Sequence, residues 1–302
     1  MALKLTFLGT GMATPIRERW HPSVLLTWDG EGFLFDCGEG AQIRLIEQKL
    51  GIMRIDHIFI THYHGDHFFG LPGLIQTMGM YNRKKPLNIY GPKGLKDLID
   101  LILKFSRQFV MFDVYGWEIK EKGIQKILET EEYEIYTTYV KHTCPALAFA
   151  WKEKGKWNID LKKAKKFGLR QGPLLGKLKK RGKLKFRDKE IKLEQVATFT
   201  EGKKIVYSGD LMPCESMVEL ARGADLFVCE ASFTQDLKKR ANEVGHLTAK
   251  QAAELAKKAN VKKLVLTHIS PRYSDNPTPL LEEAKGVFEN TELAEDLMEI
   301  TL

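Results

Sequence analysis

Seven residues constrain this chain more than any other stretch: Thr61-His62-Tyr63-His64-Gly65-Asp66-His67. Three imidazoles and a carboxylate crowd into the last six of them. They follow residues 55–61, a β-branched run that reads as a buried strand, and they precede a stretch with helical spacing. Imidazole nitrogen and carboxylate oxygen are natural zinc ligands. Three histidines this close repel one another when cationic, so the cluster gains little without a metal. Any fold of this chain has to present the cluster at the carboxyl end of a strand.

Four residues do not close two metal spheres, so further ligands are expected at other strand ends. His142 follows the strand-like run 136–140, Asp210 follows 205–208, and His268 follows 264–267. Together with His62, His64, Asp66 and His67 they make five histidines and two aspartates. That set suits two zinc ions with one bridging carboxylate.

The surrounding pattern reads as α/β. Strands are expected at 3–8, 24–28, 33–35, 87–90, 204–208, 225–229 and 263–267, with further strand-like stretches over 132–151. Asp29-Gly30-Glu31-Gly32 between two of these runs signals a hairpin. Helical spacing marks 40–50, 94–105, 215–222, 248–259 and 278–288. Strands in two layers with helices outside argue a sandwich. No fixed repeat period points to a solenoid.

Net charge is +8, but it is not evenly spread. Residues 151–194 hold 17 Lys and Arg against five Asp and Glu, a net +12, so the remainder carries −4. This asymmetry points to a polyanionic partner. Asp160 can cap a short helix over 161–167, with Gly168 at its end. Gly172-Pro173 and Gly176 read as breaks, and Gly182 as a turn. Residues 151–194 are therefore expected to form a protruding arm inserted into one domain made of 1–150 and 195–302.

Other classes are disfavoured. No apolar run is long enough for a membrane span, and the start reads as a strand, without the features of a signal peptide. Cys37, Cys144, Cys214 and Cys229 are scattered, with no CxxC spacing, so they read as small buried hydrophobes of a reducing, cytoplasmic compartment.

The order HxHxDH, His, Asp, His resembles the metallo-β-lactamase superfamily. Over essentially its whole length the chain resembles the RNase Z family within it. Phe35-Asp36-Cys37-Gly38-Glu39-Gly40 is similar to that family's early motif. Cys229-Glu230-Ala231-Ser232 resembles its HEAT box, with the outer His and Thr replaced. His246-Leu247-Thr248 and Ser270-Pro271-Arg272-Tyr273 resemble the motifs that follow. The basic arm, with Gly172-Pro173 and Lys177 and Lys179, resembles the family's tRNA-binding exosite.

The resemblance implies a metallo-β-lactamase-like αβ/βα sandwich and two zinc ions per chain. It places His62, His64 and His142 on the first, Asp66, His67 and His268 on the second, and Asp210 between them. It implies removal of the 3′ trailer from precursor tRNA. A hydroxide shared by the metals attacks phosphorus, and the tRNA keeps a 3′-hydroxyl. His246 is then the candidate general acid, oriented by Glu230. Arg272 faces a phosphate oxygen, with Ser270 and Tyr273 on the same side. Asp66 counts among the catalytic residues as well as the ligands. Asp36 is a candidate for orienting a ligand histidine from behind. Gly172, Pro173, Lys177 and Lys179 are expected to touch the tRNA body. The resemblance further implies a homodimer.

His21 and His57 read as structural, and Arg83-Lys84-Lys85 as a solvated turn. The main rival is another dinuclear-zinc hydrolase of the superfamily, a phosphodiesterase or a thioester or lactone hydrolase. It would share every metal ligand but would not need the basic arm or the Glu230–His246 pair. A non-catalytic RNA-binding protein on a dead metal fold would normally have lost ligands, and all seven are present.

Overall fold

The computed structural model describes residues 3–105, 110–187 and 189–302. Contacts divide the chain into two compact units. One takes 1–128, 135–151 and 204–302; the other takes 129–134 and 152–203.

The first unit is built on two seven-stranded sheets. The first sheet runs in the order Glu299–Thr301, Lys4–Gly9, Ser23–Trp28, Glu31–Phe35, Ile55–Phe59, Leu87–Pro92, Val114–Ile119. The second runs Thr291–Leu293, Leu264–Thr267, Leu226–Glu230, Lys204–Tyr207, Ala146–Glu153, Tyr133–Val140, Gln125–Glu129. In the first sheet, pairing changes from antiparallel to parallel after Glu31–Phe35. From there on the strands run parallel and their carboxyl ends gather on one side. The Asp29-Gly30 turn that joins the neighbouring antiparallel pair has both residues at positive φ, 47° and 87°. This is the geometry that matches hairpin twist.

Alternation along each strand sorts the core. Leu34, Ile58, Ile60, Leu87 and Ile89 pack against helices Ala41–Glu47, Leu71–Met80 and Leu95–Phe105. The opposite face of the same strands is aromatic. Phe59 stacks on Phe35 at 5.2 Å and on Tyr90 at 5.0 Å, and meets Phe149 of the second sheet at 5.2 Å. His57 belongs to this row, stacked on Phe33, and burial lowers its pKa to about 4. It is a core ring. On its far side the second sheet packs on Glu215–Ala221, Ala249–Lys258 and Thr278–Lys285. The result is helix, sheet, sheet, helix, as expected.

Two edge strands, Val114–Ile119 and Gln125–Glu129, were not legible in the sequence. Both are half exposed along their length, so neither carries a run of apolar residues. Arg83 also departs from expectation. It is buried, donating to Asp56 at 2.6 Å and to the carbonyls of Lys85 and Pro86, while Lys84 and Lys85 stay exposed. No helix among the described residues is long and apolar enough to cross a membrane.

The second unit extends to 203, past the expected end at 194, because Lys156–Ile159 pairs with Ala197–Thr200. Asp160 caps Leu161–Lys166 as expected, accepting from the amides of Lys162 and Lys163. Gly172-Pro173 does not break the chain. It starts the helix Pro173–Arg181, since proline's missing N–H costs nothing at a first helical turn. Gly182 ends that helix, and a hairpin of Lys183–Phe186 and Lys189–Lys192 follows. Ala164, Leu169, Leu175, Leu178, Ile191 and Val196 bury a small core of their own.

The aromatic row between the sheets should dominate stability. Phe59→Ala is expected to cost about 3–5 kcal/mol, as for other buried Phe truncations. Urea denaturation of the two proteins measures the difference.

Candidate metal centre

All seven expected ligands converge at strand carboxyl ends. Thr61 to His64 leave Ile55–Phe59, and Asp66 and His67 lie in the single turn Gly65–Phe68. His142 follows Tyr133–Val140, Asp210 follows Lys204–Tyr207, and His268 follows Leu264–Thr267. Two non-glycine residues of the site sit at positive φ, Asp36 at 54° and His268 at 59°. Local backbone strain of this kind concentrates at functional sites.

The ring nitrogens form two sets. His64 Nδ1 lies 3.0 Å from His62 Nε2 and 3.3 Å from His142 Nε2. His67 Nε2 lies 3.2 Å from His268 Nε2, and Asp66 Oδ2 lies 3.7 and 3.5 Å from these two. Asp210 Oδ2 approaches His67 at 3.3 Å and His62 at 3.6 Å, so it faces both sets.

Hydrogen bonds on the other side of each ring decide the tautomers. His67 Nδ1 donates to Asp36 Oδ2 at 2.7 Å, and His142 Nδ1 to the Gly245 carbonyl at 2.8 Å. His62 Nδ1 faces Thr61 Oγ1 at 3.0 Å, whose proton goes to Asp36. His268 Nδ1 faces Ser232 Oγ at 3.0 Å. In all four rings Nε2 is left to point at the centre.

This donor set fits divalent metal. Nitrogens bearing lone pairs 3.0–3.3 Å apart repel unless a cation lies between them. A tetrahedron with bonds of about 2.0–2.1 Å has edges of about 3.3 Å. Asp210 is almost fully buried, yet its Oδ1 makes no hydrogen bond. Burial, and then the neighbouring imidazoles, push His62 and His64 toward the neutral, ligating form. For His67 burial acts the same way, but Asp210 and Asp36 outweigh it and raise its pKa well above the usual imidazole range, negative surroundings that equally favour a cation at Nε2.

A second network adjoins the cluster. Glu230 Oε1 accepts from His246 Nδ1 at 3.0 Å and from the Leu211 amide at 2.8 Å. Its Oε2 accepts from Ser232 Oγ at 2.8 Å and from the Leu247 amide at 3.2 Å. Burial disfavours charge on His246, but Glu230 and then Asp210 outweigh it, raising the pKa to about 9. The His246 and His268 rings stack at 5.3 Å. Arg272 lies over the Phe233 ring at 5.3 Å, and that ring is 6.3 Å from His246. Tyr273 accepts the Thr234 amide and Ser270 begins the turn that carries Arg272, so both brace this loop.

Three participants escaped the sequence reading. Ser232, read only as a departure from the HEAT box, joins Glu230 to His268. Gly245 sits at φ 88°, where an added Cβ would come 2.8 Å from His142 Nδ1. Cys144 is half exposed, with its sulfur within 4.8 Å of the ligating atoms of His62, His64 and His142. A glycine before His246 was the only visible signal among these.

In the second unit, Gly172 and Pro173 line a concavity of about 1030 Å³ with Lys165, Arg170 and Arg187. Lys177 and Lys179 lie on the helix Pro173–Arg181, outside that lining and exposed.

Two family models match the chain. One described as anti-Pycsar protein Apyc1 covers residues 3–143, and one described as beta-lactamase superfamily domain covers 181–269. Ribonuclease Z of Methanosarcina acetivorans is 42% identical over 99% of this chain and 98% of its own length. Ribonuclease Z of Archaeoglobus fulgidus is 41% identical, again over 99% of this chain and 98% of its own. Among solved structures, the short form of human tRNase Z superposes with a TM-score of 0.74 at 31% identity, covering 98% of both chains. With that identity running the full length, over a sandwich whose strand ends gather the expected ligands, the chain belongs to the ribonuclease Z family of the metallo-β-lactamase fold.

Proposed function

We propose that the protein is a zinc-dependent endoribonuclease that removes the 3′ trailer from precursor tRNA and leaves a 3′-hydroxyl on the tRNA. The observation that carries this reading is the buried Glu230–His246 pair beside the seven-ligand cluster. A hydrolase acting on esters with good leaving groups has no use for such a pair. Cleavage of RNA at a ribose oxygen does, because an alkoxide leaves poorly unless protonated.

His62, His64 and His142 would hold one zinc ion, Asp66, His67 and His268 the other, and Asp210 would bridge. When bound, the metals lower the pKa of a shared water toward neutrality and set positive charge against the phosphate. His246 donates Nδ1–H to Glu230, which leaves Nε2 to protonate the departing 3′ oxygen. Arg272, held over Phe233 near His246, is assigned to a non-bridging phosphate oxygen. The basic arm, with Gly172, Pro173, Lys177 and Lys179, is assigned to the tRNA body, read as shape and backbone. This reading includes a homodimer and a cytoplasmic setting, both on the family likeness.

Three measurements test it. Asp210→Ala should lose bound zinc by metal analysis and lose RNA cleavage while remaining folded; full activity would remove the dinuclear assignment. His246→Ala should slow precursor cleavage by roughly 10²–10⁴-fold, yet spare a nitrophenyl phosphodiester, whose leaving group needs no proton. Equal loss on both would make His246 a support of the metals. Replacing residues 156–200, whose ends are paired, by a short Gly-Ser turn should weaken tRNA binding and flatten its salt dependence. Small-diester hydrolysis should stay near that of the parent, and an unchanged affinity for tRNA would refute the role of the arm.

A further inference from the structure

A concavity of about 710 Å³ in the first unit is lined by Lys93, Lys120, Lys122, Tyr139, Val140 and Pro145. None of these residues belongs to the metal cluster or to the arm. Tyr139, Val140 and Pro145 give it an apolar floor, and the three lysines ring it with positive charge. Among the described residues no carboxylate forms an ion pair with any of the three. Two carboxylates adjoin these lysines: Glu121 lies between Lys120 and Lys122 in the chain, and Glu118, which also feels the charge of Lys120, accepts from the backbone amides of Gly94 and Lys96.

The hollow is braced rather than loose. The Tyr139 hydroxyl donates to the Ile119 carbonyl at 2.6 Å and accepts the Lys93 amide. One phenol thus ties together the three segments that carry the lysines and the floor. Such fixing lowers the ordering cost of binding.

Its position relative to the cluster can be traced through contacts. Pro145 is three residues from His142, a separation of at most about 11 Å along the chain. Tyr63 donates its hydroxyl to the Pro92 carbonyl, next to Lys93. His64 follows Tyr63 and faces His142, whose ring lies 5.5 Å from that of His246. Contacts thus lead from the hollow through Tyr63 and His64 to His142, with His246 on a further step beyond it.

In the proposed reaction the tRNA's 3′ oxygen departs toward His246, so the other product strand has to run away from it. That strand is single-stranded RNA, which binds where cations track phosphates and a flat apolar surface takes an unstacked base. We propose that this hollow is the subsite for the nucleotides 3′ of the cut, with Lys120 and Lys122 against their phosphates and a base on Tyr139 and Pro145. The inference rests on the precursor-tRNA reading above.

The test uses the full-length, zinc-loaded protein and a Lys120→Ala/Lys122→Ala variant, with melting temperature as a check on folding. Three RNAs are compared: a precursor with a long single-stranded trailer, one with a single-nucleotide trailer, and mature tRNA. For the long trailer, affinity should fall roughly tenfold, and the log–log salt slope should shrink by about 1.4, the value for two single-strand phosphate contacts. Affinity for the other two RNAs should match the parent. Lys122→Glu should widen the gap between long and short trailers. Equal weakening on all three RNAs would place these lysines on the tRNA body and overturn the subsite. So would unchanged binding of the long-trailer precursor. Failure of the parent itself to cut any precursor would show instead that the underlying functional reading is wrong, and the subsite would fall with it.

Discussion

The carboxylate of Asp36 holds the structure's two halves and its chemistry in one place. It is fully buried at the end of Glu31–Phe35 and accepts from the Thr61 amide and hydroxyl, from His67 Nδ1 and from the Tyr207 hydroxyl. Thr61 opens the histidine loop of the first sheet, and Tyr207 ends a strand of the second. Burial, reinforced by Asp36 itself, keeps the Tyr207 phenol protonated and therefore a donor. A buried carboxylate with fewer partners would be costly. Satisfied on all sides, it orients the His67 ring directly and the His62 ring through Thr61.

The same logic repeats around the cluster. Each ring that presents Nε2 inward has its other nitrogen engaged, by Asp36, Thr61, the Gly245 carbonyl or Ser232. Ser232 does more, since it also donates to Glu230, which in turn positions His246. The group assigned to proton delivery and a group assigned to metal binding are therefore braced by one hydroxyl. A chain of this kind sets distances among side chains from four separate strands, and holds His268 at a backbone conformation that an unconstrained residue would leave.

Charge is partitioned as sharply as geometry. The metal-bearing unit has nearly balanced charge, while the basic insertion closes its own small core around Leu175, Leu178 and Ile191. Its lysines stay outside that core, so they remain available to a polyanion. The lysines at Lys93, Lys120 and Lys122 are different in kind. They are few, and they surround an apolar floor close to the ligands, which suits a single strand better than a folded RNA surface.

The sequence by itself determined which histidines and aspartates would converge, the layered α/β class and the existence of a basic insertion. Each of these is written locally: HxHxDH after a β-branched run, ligand types at strand ends, helical or alternating periods, and charge counted over a window. Asp36 was legible as a carboxylate behind the ligands because it sits in a strand-end motif. What only the tertiary structure decided depends on partners distant in the chain. The edge strand Val114–Ile119 was invisible because half-exposed strands lack an apolar period. The helix at Pro173 was invisible because Gly-Pro signals a break and a helix start equally well. Ser232, Gly245, Cys144 and the braced hollow under Lys93 and Lys120 acquire meaning only when strands far apart in sequence are brought side by side, because a hydrogen bond or a steric limit depends on distance in space and not on spacing along the chain.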